Sequence, residues 1–440
     1  MTAAPQGTVN KPKIAIIGTG IAGLTAAYRL QQRASLTVFE AANRIGGHTA
    51  TVDVNHDGEA LAIDTGFIVF NDWTYPRFKQ LLSELNVEYQ PSSMGFSVTC
   101  ERTGLEYSGE NFATLFAQKR RFFDVKYWRF LIDIVRFNKN ALAALEKGEL
   151  DDNQTLEQFL EQGKYSQQFA THYLVPMASA IWSKSSADSL QMPVRFFAAF
   201  FKNHGLLSVN DRPTWHVIKG GSRAYLEPIT RGFKSNIRLN AQVTNVRRTE
   251  QGVSLQVDGV TQYFDQVIFA CHSDQALACL GDASEQERSV LEAIEYQNND
   301  VVLHWDAALL PHKKACWSSW NYRITQGGGD GCWQDKAVLT YDMNLLQGLV
   351  SDTTYCVTLN HTAAIDPDKI LRTFQYAHPR FTREAVAAQQ RWPEINGVNN
   401  TWFCGAWWAN GFHEDGVVSG ERVASALVKQ LASAKAAVTK

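Results

Sequence analysis

Lys13-Ile-Ala-Ile-Ile-Gly18-Thr-Gly20-Ile21-Ala22-Gly23-Leu-Thr-Ala-Ala-Tyr-Arg-Leu30, and then Ser35-Leu-Thr-Val-Phe39-Glu40, is the stretch that decides the fold. Ile14 to Ile17 are a short apolar run, the mark of a buried parallel strand. A Gly-rich turn follows, then a helical segment from about Ile21 to Gln32 and a second strand from Leu36 to Phe39. That is a βαβ unit. Gly18 permits the tight turn, Gly20 lets backbone approach a pyrophosphate, and Gly23 lets the helix pack on the strand. Free N–H groups and the positive end of the helix dipole then face the phosphates. Glu40 lies 22 residues after Gly18. Its carboxylate can accept both ribose hydroxyl protons and would repel a 2′-phosphate, so NADP is disfavoured.

The residues beyond Glu40 separate FAD from NAD. Glu40-Ala41-Ala-Asn-Arg44-Ile-Gly46-Gly47-His48 supplies a second Gly-Gly turn, and Arg44 brings charge toward a diphosphate. This resembles the extended FAD signature of the flavin amine oxidase superfamily, which includes monoamine and polyamine oxidases, phytoene desaturases and protoporphyrinogen oxidases. Ile63-Asp64-Thr65-Gly66-Phe67-Ile68 resembles the segment that passes beside the flavin there. Lys219-Gly220-Gly221-Ser222 resembles the family's central Gly-Gly motif, and Val243 stands where backbone meets the adenine. Gln266 to Ala270 resembles a strand ending in Ala-Thr, with Cys271 in place of Thr. Trp402-Phe-Cys404-Gly405-Ala406-Trp407 and Asp415-Gly416-Val417 resemble the C-terminal flavin motif. The family usually carries an acid two positions after Gly405. Trp407 stands there, leaving Asp415 or His413 as substitutes.

The resemblance implies an α/β fold: a Rossmann-like FAD-binding domain with a parallel sheet, of the GR2 flavoprotein type, interleaved with an α+β substrate domain. The expected FAD domain takes residues 13–70, 211–285 and 396–432. The substrate domain takes 71–210 and 286–395, with helix-like, aromatic-rich segments such as Phe112 to Leu145 and Leu156 to Gln162. Residues 1–12 read as a disordered leader and 433–440 as a tail. Strand text returns at Ile237 to Val246, Val253 to Val257 and Gln266 to Ala270. The ending Trp407-Trp408…Gly411-Phe412-His413-Glu414-Asp415-Gly416 and Trp317-Ser-Ser-Trp320-Asn-Tyr322 resemble a bacterial subgroup of NAD/FAD-binding proteins in this superfamily. Members of that subgroup are often encoded near cyclopropane-type fatty acyl synthases, which implies a lipid link.

The chemistry implied is hydride transfer from a C–H bond to flavin N5, from an amine or from a hydrophobic acyl or isoprenoid lipid. No Ser-His-Asp triad or metal cluster is found. The Ser-Gly-Gly-Cys of covalent monoamine oxidases is absent, since Arg391 to Thr401 holds no Cys. FAD is therefore expected to be noncovalent, with Cys404 packed. Many amine oxidases place a Lys near N5. The strand Asn299-Asp-Val-Val-Leu303-His304 resembles its strand and puts Leu303 or His304 there. His304 is the leading acid/base candidate, because imidazole titrates near neutral pH, against a hydrogen-bonded structural His. His272, Tyr341 and Asn344 follow. Ile68, Tyr341, Trp407, Trp408 and Phe412 are the candidate substrate-pocket residues. The rivals are an NAD-dependent dehydrogenase and a non-catalytic flavin-binding lipid carrier or partner subunit.

The 440 residues bear a net charge of −2, which gives no global reason to expect nucleic acid. Locally, Lys119 to Lys139 holds seven bases and two acids, a net of +5, interleaved with Phe122, Phe123, Tyr127, Trp128, Phe130 and Phe137. Such a segment can lie on an anionic membrane, or can pack its apolar face in the core and solvate its basic face. The seven cysteines, Cys332 among them, are scattered and read as reduced thiols. Met1 to Asn10 has no apolar signal region, and no run approaches a membrane span. A cytoplasmic protein, with peripheral contact at the inner membrane face through residues 119–139, is the expectation.

Overall fold

The structure, a computed structural model, describes residues 11–438 apart from 57, 152, 183–184, 209–210 and 327–335. Cys332, and most of the leader and the last two residues of the tail, lie outside the described residues.

One sheet is parallel throughout. Its strands are β1 (Lys13–Ile17), β2 (Ser35–Phe39), β3 (Ile237–Arg238), β4 (Gln266–Phe269) and β5 (Thr401–Phe403), in the order β3-β2-β1-β4-β5. Ile14, Ala15 and Ile16 are fully buried, as a strand covered on both faces requires. Helix α1 (Ile21–Leu30) crosses from β1 to β2. The chain leaves β1 toward β2 on one side, and β4 lies on the other. The strand order therefore reverses beside the Gly-rich turn, where open α/β sheets open a crevice.

The second sheet has seven strands. In order they are Ile370–Pro379, Tyr296–His304, Cys356–Leu359, Leu339–Asp342, Trp320–Ile324, Phe96–Cys100 and Leu105–Ser108. Phe96–Cys100 pairs in parallel with Trp320–Ile324, so two remote stretches of chain share one sheet. The region after Asn71 is thus less helical than its text suggests. Phe96-Ser-Val-Thr-Cys100 is a strand because it has a partner more than 200 residues away.

The run Phe112 to Leu145 is broken. A short helix, Phe112–Leu115, and a tight turn, Lys119–Phe123, precede α2 (Val125–Lys147). The Asp124 side chain caps α2 by accepting from the N–H groups of Lys126 and Tyr127. Gly148, at φ 70°, ends it. Leu156–Gln162 is a helix closed by a Thr155/Gln158 capping box. The expected strand at 237–246 splits into β3 and Val243–Thr249, with Asn240 left-handed between them at φ 51°. The final helix, α3 (His413–Val438), returns to pack against α1. Among the described residues no helix is long and apolar enough to cross a membrane.

Candidate active site

The crevice lies at the C-terminal ends of β1, β4 and β5, where the N-termini of α1 and α3 converge. Gly18 sits at φ 109°, and a Cβ on it would lie 2.7 Å from the Ala270 carbonyl oxygen. A Cβ on Gly23 would lie 2.2 Å from the Gly18 oxygen. Those two glycines are required by packing. Gly20 differs, since nothing stands within 4 Å of its missing Cβ. That space opens over the first turn of α1, which has no side-chain cap and no acidic residue. Its N–H groups are free for an anion. Gly47 closes on Gly20, its absent Cβ only 3.2 Å from the Gly20 Cα. The two glycine turns thus form one cradle that side chains would fill.

Glu40 ends β2 and holds the loops around it. It accepts from Thr19 N (3.0 Å), from the Thr19 hydroxyl and from Ala42 N (2.9 Å). Ala241 N donates to the Glu40 carbonyl at 2.8 Å, which brings the chain leading to Val243 beside it. Val243 is buried, and its carbonyl accepts from the Cys279 thiol. Arg44 donates to the carbonyls of Gly47 (2.9 Å) and Thr49 (3.1 Å), so it braces the Gly46–Gly47 turn.

Asp64 is fully buried and fastens the segment Thr65–Phe67. It accepts from the hydroxyls of Thr51 (2.6 Å) and Ser222 (2.8 Å) and from Ser222 N (2.9 Å). Burial pushes its carboxyl up to about 6, against the pull of those bonds. The Gly-Gly at 220–221 serves this contact, because a Cβ on Gly221 would lie 2.5 Å from the Thr51 methyl.

At the C-terminal motif, a Cβ on Gly416 would lie 2.6 Å from the Ile21 side chain, and one on Gly420 2.4 Å from the Ala22 carbonyl. Small residues let α1 and α3 touch, so both positive helix ends point into the crevice. Val417 is fully buried in this contact. Asp415 accepts from Asn410 N (3.1 Å) and Phe412 N (2.9 Å), and burial raises it to about 7. His413 is flat on Phe67, ring centroids 3.6 Å apart, and bonds Tyr225 and Thr49 through Nε2. Both candidates for the missing acid are thus committed to protein partners.

Beyond the Gly-Gly turn stands a group of rings. His48 faces His378 at 5.6 Å, His272 at 6.0 Å and Tyr376 at 5.2 Å. Tyr296 stacks on His272 at 4.3 Å, and Asn299 donates to His378 Nδ1 at 3.0 Å. The Tyr376 hydroxyl bonds that of Thr65 at 3.0 Å. Burial holds His48 and His272 near 4 and His378 near 3, helped by the other imidazoles. All three are neutral at pH 7. The buried Nε2 of His48 has no hydrogen-bond partner among the described residues. A group with hydrogen-bonding edges, placed at the cradle, would satisfy it.

A family model for flavin containing amine oxidoreductases matches residues 21–428. The chain belongs to this family. Its fold is similar to that of cyclohexylamine oxidase from Brevibacterium oxydans, with 17% identity, 96% of this chain and 99% of that one covered, and a TM-score of 0.66. Putrescine oxidase bound to putrescine gives 14%, 95%, 99% and 0.68. The CLA-producing fatty acid isomerase from P. acnes gives 14%, 95%, 98% and 0.65. No curated protein sequence matches the chain. It is an FAD-dependent oxidoreductase, and the open α1 terminus, the double glycine cradle, Glu40 and the unpaired His48 nitrogen fit that cofactor.

In this flavin oxidoreductase the acid/base candidate is displaced. His304 is fully buried; its Nε2 bonds the Thr358 hydroxyl at 2.7 Å and its Nδ1 accepts from Asp306 N at 3.0 Å. It ends the strand that begins at Tyr296, about 26 Å away at ~3.3 Å per residue. The ring group lies at the Tyr296 end, and the residue of this strand that reaches it is Asn299. His304 therefore stands at the far end of the strand from the ring group, with both ring nitrogens bonded within the protein.

Pocket residues divide similarly. Trp407 and Trp408 stack on each other at 4.3 Å within the core of the parallel sheet. Their indole N–H groups donate to the Cys271 and Phe403 carbonyls. They brace the strand ends, which is what a buried tryptophan with a bonded N–H does. Ile68 is buried in the second core, and Tyr341 stands edge-on to Trp320 at 5.1 Å within the seven-stranded sheet. Phe412 lines a cavity of about 560 Å³, with Trp73, Phe200, His204, Glu414 and Asp415. Asn344 caps a turn by bonding Thr353 and Tyr355. His378, Tyr376 and Tyr296 were missed. The alternation in Tyr376-Ala-His378 puts two rings on one strand face, a signal that needs the partner strand to acquire meaning. Among the described residues no group of His, Cys, Asp and Glu is arranged to hold a metal ion.

Proposed function

We propose that this oxidoreductase dehydrogenates an apolar organic substrate, a hydrophobic acyl or isoprenoid chain in preference to an amine. Bound FAD supplies the chemistry, accepting a hydride at N5. The chain's part is to position and to exclude water. The α1 N-terminus and the turns Gly18–Gly20 and Gly46–Gly47 would hold the diphosphate, and Glu40 the adenosine ribose. Ala270, Gly405, Gly416 and Val417 would offer backbone to the flavin end, where the α3 dipole favours negative charge. Neutral His48, His272 and His378 add no fixed charge there.

The observation that carries this reading is the cavity beside Phe412, where Trp73, Tyr75, Pro76 and Phe200 supply apolar wall and Lys202 and Asn203 stand at its polar side. Its two carboxyls are already engaged by backbone N–H groups: Glu414 by Arg77 and Phe78, Asp415 by its own turn. Burial raises both carboxyls, Asp415 to about 7, which weakens their hold on an ammonium. Noncovalent attachment is supported by Cys404, which is fully buried and whose thiol burial pushes up to about 12. Peripheral membrane contact through residues 119–139 belongs to the same reading, since a lipid substrate resides in a bilayer.

The test is anaerobic titration of the yellow protein with methyl-branched phospholipids and with a panel of amines. Bleaching by the lipids is expected. Bleaching by amines alone would refute the lipid assignment. A flavin that neither class reduces would point to a carrier, and a colourless protein that binds NADH to a nicotinamide enzyme.

A further inference from the structure

We infer that the helix Phe112–Leu115, the turn Lys119–Phe123 and the first half of α2 form a docking surface for an anionic lipid bilayer. Seven of the fifteen large apolar side chains left exposed among the described residues lie between Phe112 and Val135. Phe123 is 85% exposed and Val125 81%, while Ile132 and Val135 are each 61% exposed. They are contiguous. Phe116 holds Phe112 at 4.8 Å and Trp128 at 5.1 Å, and Phe122 stands 5.8 Å from Trp128. The Trp128 indole donates to the Phe122 carbonyl, which fixes the turn against the helix.

Helix α2 carries two apolar stripes. Tyr127, Phe130, Phe137 and Ala141 are fully buried in the second core. At ~100° per residue, Val125, Trp128, Ile132 and Val135 fall within about 80° on the opposite side. A core helix with a solvated basic face would not carry this second stripe. Of the helix bases, Lys139 falls inside that arc, Arg129 about 40° beyond its edge and Lys126 on the flank, about 100° from Val125. Arg121 is paired with Asp124 and Arg136 with Asp133, which uses both acids of the segment. Lys119, Arg120, Lys126, Arg129 and Lys139 are exposed and, among the described residues, carry no ion pair. The +5 is therefore free to act outward.

Apolar side chains among unpaired cations match a bilayer's acyl boundary beneath anionic headgroups. A second copy fits poorly, because a two-fold contact would set +5 against +5. Nucleic acid would meet the bases but leave Val125, Ile132 and Val135 without partners. The inference deepens the peripheral contact proposed above but rests on surface side chains alone, so its test is separate from that of the substrate.

Flotation of the flavin-loaded full chain tests it, using phosphatidylcholine vesicles with and without an equal part of phosphatidylglycerol. Binding to the anionic vesicles is expected, falling as salt is raised. K126Q/R129Q should bind about 30-fold more weakly, at roughly fivefold per base. I132S/V135S should bind more weakly with the same salt dependence. Flavin absorbance and melting temperature matching the wild type would exclude misfolding in both variants. No flotation of the wild type at low salt, or undiminished flotation of K126Q/R129Q, would overturn the proposal. So would dimerisation, by sedimentation, that I132S/V135S abolishes without any flotation. The wild-type salt series stands alone if a variant fails to fold.

Discussion

Gly18 carries two constraints at once, a backbone at φ 109° and an approach of 2.7 Å to the Ala270 carbonyl. Alanine there meets both the left-handed penalty and a backbone clash. Gly18→Ala should lose most bound flavin, read as the ratio of visible to protein absorbance, and should lower stability by about 1–3 kcal/mol. Gly20→Ala has open space around its Cβ and should keep the fold while weakening the cofactor, so the pair separates packing from binding. His304 invites the opposite experiment. His304→Ala should leave the rate of flavin reduction unchanged and cost about 1–3 kcal/mol, because the buried Asp306 N–H loses its acceptor and Thr358 keeps only its bond to Thr340. Burial holds His48, His272 and His304 near 4, below the 6.5 of the unfolded chain. The unfolded state therefore binds more protons between those values. The stability these neutral rings contribute is complete above about 6.5 and is lost as pH falls toward 4. Melting temperature should drop across that window, and His304→Gln should flatten the drop; an unchanged slope would show that another group titrates.

At the scale of elements, the contact between α1 and α3 sets the site, because it aims two helix N-termini into one crevice. Gly420 is its tightest point, with an absent Cβ 2.4 Å from the Ala22 carbonyl. Gly420→Leu should separate the helices, cost at least about 1–3 kcal/mol and release flavin, measured by melting with and without added FAD. The βαβ unit was legible because everything it needs lies within 28 residues of chain: an apolar strand, three glycines and an acid. Phe96–Cys100 was not legible, because its pairing with Trp320–Ile324 is what makes it a strand. The break at Asp124 was written as a cap residue inside a long periodic run, and periodicity alone read through it.

For the whole molecule, the parallel sheet collects strands from residues 13–39, 237–269 and 401–403, and the seven-stranded sheet from 96–108 and 296–379. Neither sheet can be completed from one continuous piece of chain. FAD would bridge cradle and C-terminal motif, so its removal should lower the melting temperature. Re-addition at about 100 times its dissociation constant should restore about 2.7 kcal/mol, and NAD should not. A melting temperature indifferent to FAD would contradict a cofactor held between α1 and α3.

Sequence by itself determined the glycine cradle, Glu40 and the family, since those depend on backbone freedom and charge at short spacing. Gly220 has a local conformational reason, a backbone at φ 78°, whereas Gly416 is required by the approach of α1. Only the tertiary structure decided which side chains meet at the crevice. His48, His272 and His378 are separated by more than 100 residues at each step and become neighbours through burial, which also sets their charge. It also moved His304 to the far end of its strand, drew Trp407 and Trp408 into the core, and left Val125, Ile132 and Val135 outside. Hydrophobicity is a property of a residue, but the side on which it is spent is a property of the packed chain.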